Sequence, residues 1–325
     1  MKQFHSYIVY DSDSIVKYHI NTHVVVDMRR VYSTARLLYI KYMEFVKGQK
    51  YLCMLAPAFA AEFEYPEIVY RLRQLGFDDV VELTFGAKMV NIAYYELLKE
   101  SIEKGEKKTW IASPCPTLVN MVRVKFPELI PNLVPVLSPM GAMALICKKY
   151  YPDYKRVFVG PCITKKLEGQ ELGTIDESIT FKELNELFKL HNIPEKVTDS
   201  KYCVTFEKFY NDYTKIYPIS GGLSSTLHYK NILKEKDILV TDGVANVMKV
   251  LSGFKDGMYK DYKFLDILTC AGGCIGGPGM IGERSVKERT KKIHEYREFA
   301  SRYEQDLGRT GKKLMVEDIN FERKF

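Results

Sequence analysis

The sequence predicts an α/β fold of two lobes, each with a twisted, mostly parallel sheet flanked by helices. Three observations predict it. A chain of 325 residues is long enough for two compact lobes. Its composition, 46% hydrophobic and 27% charged, is that of an ordinary globular protein. Short apolar segments alternate with helical patterns, as expected of parallel sheets.

The strand segments come in order at 50–56, 79–84, 108–112, 155–160, 237–241 and 264–269. Each is apolar, rich in β-formers and bounded by charge or turn residues. Helical patterns fall between them at 61–75, 90–104, 117–126, 140–149, 181–190 and 244–252. Residues 29–47 also read as a helix, so residues 1–49 form a helical extension. Residues 50–283 form the α/β domain. Residues 284–325 predict a charged helix with Val286, Ile293, Tyr296, Ala300, Tyr303 and Leu307 at helical spacing. That stripe suits a helix strapped onto the domain, or one that docks a partner.

No apolar run approaches the ~20 residues of a membrane helix. The N-terminus lacks a basic-then-apolar leader, and a cytoplasmic location with no membrane partner is expected. The net charge is +7, and the last 42 residues hold 12 Lys and Arg against 8 Asp and Glu. No nucleic-acid motif accompanies this surplus, so no nucleic-acid partner is expected.

Seven cysteines, an odd number and widely spread, do not suggest a disulfide framework. Cys53, Cys147 and Cys203 lie in apolar or featureless contexts and read as small buried hydrophobes. The other four differ. Cys115 follows the strand at 108–112, Cys162 follows 155–160, and Cys270 and Cys274 follow 264–269. Ligands of open α/β sheets bind outside the carboxyl ends of the strands. Four thiolates delivered there suit an iron–sulfur cluster, whose ligands come from distant loops. A zinc site and plain buried thiols stay open, although no paired zinc-knuckle spacing is present. The stretch LTCAGGCIGGPGMIG (268–282) holds six glycines. Bare backbone there would let N–H groups approach inorganic sulfide. Pro114, Pro116, Pro161 and Pro278 stiffen the same loops.

Three blocks carry a family resemblance: ASPCPTLVNMVRVKFPELIPNLVPVLSPM (112–140), FVGPCITKKLE (158–168) and LTCAGGCIGGPG (268–279). Supporting pieces are LAPAFAAEF (55–63), LRQLGFDDVVELTFGA (72–87), ITFKELNELF (179–188) and YPISGGL (217–223). Together they resemble the C-terminal catalytic domain of the iron–iron (iron-only) hydrogenase large subunit. The resemblance implies an H-cluster in the cleft between the lobes: a 4Fe–4S cubane joined through one thiolate to a two-iron unit carrying CO and cyanide. It also implies Cys115, Cys162, Cys270 and Cys274 as cubane ligands, with Cys274 as the bridge. Lys165 matches the lysine that contacts a cyanide, a sound pairing of ammonium and anion.

The sequence departs from the working enzyme where protons must move. The relay cysteine before the first ligand is Pro114, which has no titratable group. Tyr94 and Leu97 stand where relay glutamates are expected, and Glu96 lies one residue off, about 100° around the helix. Met140, Gly160 and Ala58 replace further residues of the family pattern. Residues 1–52 contain no cysteine, so electrons are expected from an external ferredoxin. SPM (138–140), GPC (160–162) and GCIGGPG (273–279) are similar to the sensory branch of the family. The resemblance therefore implies a redox or hydrogen-sensing module with little turnover, linked to a redox or signalling partner. Two other expectations stand beside it: a slow but genuine hydrogenase, and a metal-free binding or structural relative.

Overall fold

The computed structural model describes residues 45–196, 205–206, 208–209, 211, 213–227, 232–306 and 315–325. Residues 29–44 of the helix expected at 29–47, together with Cys203 and Leu307, lie outside them. Compactness divides the chain into Met1–Val46 and Lys47–Phe325. All elements below belong to the second unit.

Two parallel sheets form its frame. The larger contains β1 (Lys50–Leu55), β2 (Asp79–Glu82), β4 (Tyr154–Gly160) and β5 (Glu177–Thr180) in the order β2-β1-β4-β5. The smaller contains β3 (Trp110–Ile111), β6 (Ile238–Asp242) and β7 (Phe264–Leu268) in the order β3-β7-β6. In register, Cys53 of β1 faces Val157 of β4, and Ile111 of β3 faces Leu265 of β7. β7 is buried along its whole length, as are the last four residues of β1 and of β4. Such continuous apolar runs are what strands covered on both faces require.

The helices are α1 (Glu67–Leu75), α2 (Thr84–Glu103), α3 (Pro116–Lys125), α4 (Pro139–Tyr150), α5 (Thr164–Leu172), α6 (Phe181–Leu190), α7 (Gly222–Thr226), α8 (Val244–Lys255) and α9 (Val286–Asp306). Three departures from the sequence expectations have local causes. The helix expected at 61–75 begins only at Glu67 because Pro66 precedes it, and proline cannot sit inside a helix. The strand expected at 79–84 stops at Glu82, and α2 starts at once from Thr84. β5 (ESIT) is an edge strand with polar residues, so it lacks an apolar signature; it ends at Thr180, which caps α6 in a capping box with Glu183.

α2 and α4 cross closely. A Cβ on Gly86 would lie 2.5 Å from the Pro139 carbonyl oxygen, so only glycine admits this approach. Near the smaller sheet, Tyr94, Trp110, Val134, Leu223 and Phe264 share one buried cluster.

The tail helix α9 straps onto the domain. Ile293, Tyr296 and Ala300 are buried, while Val286 is 39% exposed, contrary to its place in the expected stripe. Tyr296 meets the Phe59 ring edge-on at 5.0 Å. Burying Ile293 alone contributes about 1.5–3 kcal/mol, more than a surface helix would gain from its exposed ion pairs. Beyond α9, residues 321–323 run beside 135–137. Leu137 N donates to Phe321 O at 2.8 Å, Arg323 N donates to Pro135 O at 3.0 Å, and Val136 and Glu322 form a bridge.

Candidate metal centre

The four cysteines singled out by their positions come together. Cys115 leaves β3 and caps α3, with Pro116 in the first helical position. Cys162 lies two residues beyond β4, just ahead of α5. Cys270 lies two residues beyond β7, and Cys274 opens a short 3-10 turn over 274–276. All four line one cleft, together with Lys165. Exits of β1, β2, β3, β4 and β7 contribute to its walls through Ala56, Leu83, Pro114, Pro161 and Thr269. The cleft thus sits off the carboxyl ends of both sheets, as parallel sheets place ligands.

The exits are tied to one another. Thr117 Oγ1 and Thr164 Oγ1 share a hydrogen bond of 2.8 Å. Cys115 Sγ lies 3.3 Å from Thr269 Oγ1. Gly279 N donates to Pro161 O at 2.8 Å, which binds the glycine loop to the Cys162 turn.

The glycines answer to protein backbone. A Cβ on Gly277 or Gly279 would lie 2.7 Å from Pro161 O, one on Gly273 would lie 2.6 Å from Pro218 O, and one on Gly276 would collide with Ala271 O. Gly273 also has φ +89°, which L side chains rarely adopt. The expectation that bare backbone serves inorganic sulfide is therefore amended. At these four positions the missing side chains make room for neighbouring carbonyls, which lets the loop fold tightly between the Cys162 turn and residues 216–220.

Burial pushes the Cys162 thiol up to about 11, with the neighbouring Cys115 adding to the shift and Lys165 opposing it. Burial pushes Cys274 up to about 12, again with Cys115 and Cys162 adding. Cys270 is raised by burial and by all three of the others. These mutual effects place the sulfurs within one another's electrostatic reach. The bare thiols of Cys162, Cys270 and Cys274 stay protonated at neutral pH, and a bound metal would reverse this by taking the thiolate. Among the described residues, no three His, Cys, Asp or Glu side chains are grouped to hold a single metal ion. Cysteine thiolates are the donor type that iron–sulfur clusters take. Cys53 and Cys147 are fully buried core residues, as expected.

Lys165 is buried, and its three N–H donors have three acceptors. Nζ donates to Glu168 Oε2 at 2.6 Å, Ser138 Oγ at 2.9 Å and Pro114 O at 3.2 Å. An ammonium so satisfied offers a cyanide ligand no further donor unless one of these bonds is given up.

The positions of the expected proton relay carry no acid toward the interior. Pro114, Met140 and Ala58 line the cleft. Tyr94 is fully buried, burial raises its phenol, and its hydroxyl is engaged with Ser113 at 2.8 Å. Leu97 packs against the cluster around Tyr94, and Glu96 is exposed.

Sequence reasoning missed two cleft residues. Asp266 lines the cleft from within β7 and is 1% exposed. Ser224 N donates to its Oδ2 at 3.0 Å, and burial raises its carboxyl despite that help. A single acid inside the apolar strand FLDIL was the available signal. Tyr217 also lines the cleft, and its hydroxyl is buried with no hydrogen-bond partner among the described residues.

The sequence profile described as "Iron only hydrogenase large subunit, C-terminal domain" matches residues 49–278. The chain is 27% identical to Iron hydrogenase 1 of Clostridium pasteurianum, over 79% of this chain and 56% of that protein. It is 23% identical to the cytosolic Fe-S cluster assembly factor NAR1 of Yarrowia lipolytica, over 69% of this chain and 62% of that protein. It thus spans under two thirds of the length of these relatives. Among solved structures it is similar to the FeFe-hydrogenase HydA1 of Chlamydomonas reinhardtii, with a TM-score of 0.59 at 19% identity, over 81% of this chain and 88% of that one. That likeness bears on the fold.

Proposed function

The chain belongs to the family of the iron-only hydrogenase large subunit, C-terminal domain, and from that premise we propose that Cys115, Cys162, Cys270 and Cys274 hold a 4Fe–4S cluster in a redox or hydrogen-sensing module with little turnover. The observation that carries this reading is a contrast within one cleft. Four cysteines line it, while Pro114, Met140 and Ala58 stand where proton-handling or polar groups would serve turnover. Each general acid–base step contributes about 10²–10⁴-fold, so loss of two relays removes most of a hydrogenase's rate.

When bound, such a cluster supplies one-electron transfer. The chain's own residues shape the site around it. Pro57, Ala58, Met140 and Phe158 give apolar walls that exclude water. Lys165 brings a positive charge beside the sulfurs, and that charge favours the thiolate forms of Cys162 and Cys274. Electrons come from an external ferredoxin or pass to a signalling partner in the cytoplasm. Among the described residues no helix is long and apolar enough to cross a membrane.

A second reading, a genuine but slow hydrogenase that also carries the two-iron unit, is favoured by Asp266 and Tyr217, which bring titratable groups to the cleft wall by another route. Anaerobic purification from a host with the hydrogenase maturation machinery separates the readings. The first predicts a brown protein with about four irons per chain and background hydrogen oxidation. Infrared bands from CO and cyanide with dye-linked turnover would favour the second. A colourless, iron-free chain after anaerobic reconstitution would sink both and leave a metal-free relative.

A further inference from the structure

Lys165 is the only cationic side chain on the cleft wall among the described residues, and the tail holds its surroundings. Glu168 is a buried carboxylate shared between two cations. Its Oε2 accepts from Lys165 at 2.6 Å, and its Oε1 accepts from Arg323 Nη1 at 2.7 Å. Arg323 is 5% exposed, and its Nη2 also donates to Glu171 Oε2 at 3.2 Å. The backbone of the same segment pairs with 135–137, which runs directly into Ser138. Ser138 is the second acceptor of Lys165. Two of the three acceptors of the ammonium are therefore set by residues 321–323, which lie beyond the 49–278 region of the family match.

We propose that Arg323 is a positioning residue of the metal centre, holding the Lys165 ammonium at the cleft wall through Glu168. Without Arg323 one oxygen of Glu168 is buried and unpaired, a costly state. The carboxylate then draws the ammonium toward itself and away from Ser138 and the Pro114 carbonyl. The same loss removes a positive charge from the neighbourhood of the sulfurs. Both changes make addition of an electron at the centre less favourable. This inference rests on the reading of the cleft as a cluster site.

The test uses the full chain, reconstituted anaerobically with iron and sulfide, and reads iron content, thermal unfolding and the midpoint potential of the cluster by electron paramagnetic resonance. Arg323→Gln is expected to keep the parent's iron content with a lower midpoint potential, and Arg323→Lys to return it toward the parent. The double variant Glu168→Gln/Arg323→Gln removes the stranded carboxylate and still offers Lys165 an amide oxygen as acceptor, so it keeps the test open if the single variant does not fold. Its potential is expected to rise, because the nearer negative charge goes together with the more distant positive one. A potential equal to the parent's in these iron-loaded variants overturns the proposal, since a merely structural arginine would change melting or occupancy alone. A parent chain that takes up no iron overturns the cluster reading itself, and the iron count tells the two failures apart.

Discussion

Thr117 and Thr164, each two residues beyond a cysteine, join their side-chain hydroxyls at 2.8 Å. One follows the exit of the smaller sheet and the other that of the larger, so the bond ties the two exits together. Replacing either threonine with valine is expected to cost about 0.5–1.5 kcal/mol in urea unfolding. The double variant should cost little more than either single one. Full additivity would show that the hydroxyls do not interact in solution.

Cys162 is the one ligand candidate supplied by the larger sheet. Cys162→Ala is expected to abolish the visible absorption of the reconstituted chain while the iron-free protein still folds cooperatively. Iron content and absorption at equal protein concentration check this. Unchanged iron content would remove Cys162 from the ligand set.

Arg289 of α9 holds the glycine loop from behind. It donates from Nη1 to Ile275 O at 3.0 Å and from Nη2 to Ile281 O at 3.0 Å and Gly282 O at 2.9 Å. Arg289→Ala leaves the buried Ile275 carbonyl without this donor and takes a cation from the buried Glu62 carboxylate, and it is expected to destabilise the chain by about 1–3 kcal/mol. The loop carrying Cys274 should then lose amide protection ahead of the rest, as read by hydrogen exchange. Uniform protection across the loop would contradict the clamp.

A second buried ion pair, Lys215 with Glu82 at 2.5 Å, also involves Tyr296, whose hydroxyl donates to Glu82 Oε1 at 2.8 Å. Neither charged side chain exceeds 1% exposure. Lys215→Met should cost about 3–5 kcal/mol because it strands a buried carboxylate. Lys215→Met with Glu82→Leu should recover much of that loss. Urea midpoints of the two variants decide the matter.

Asp266 gives a pH dependence of known sign. Burial raises its folded carboxyl above the unfolded value, with the Ser224 hydrogen bonds opposing. The folded chain therefore holds this proton more tightly than the unfolded one. Stability from this group is present below the unfolded value and falls as pH rises through the window between the two. Asp266→Asn lacks that slope, so it should gain on the parent as pH rises from about 4 to about 7. Urea unfolding of the iron-free proteins measures it, and a constant difference would refute the assignment.

Much of this architecture is legible in the sequence because β1, β4 and β7 are apolar runs and their exits carry the cysteines. β5 is not legible in the same way. Of its four residues, ESIT, only Ile179 is apolar, and its place in the sheet is fixed by pairing with β4. Pro66 shortens α1 by a rule that local sequence does contain, but the apolar periodicity runs on through it. Lys165 and Glu168 sit in one quoted block, whereas Arg323 lies 155 residues away from Glu168, and no local pattern announces such a partner. The glycine loop showed its need for close approach. Which atoms approach, chiefly carbonyls of Pro161, Pro218 and Ala271, is decided by tertiary structure.

Three of the four sulfurs leave the smaller sheet, and Cys162 alone leaves the larger. Any polynuclear core seated there is gripped three to one. The Cys162 turn would be the single tie between such a core and the larger sheet.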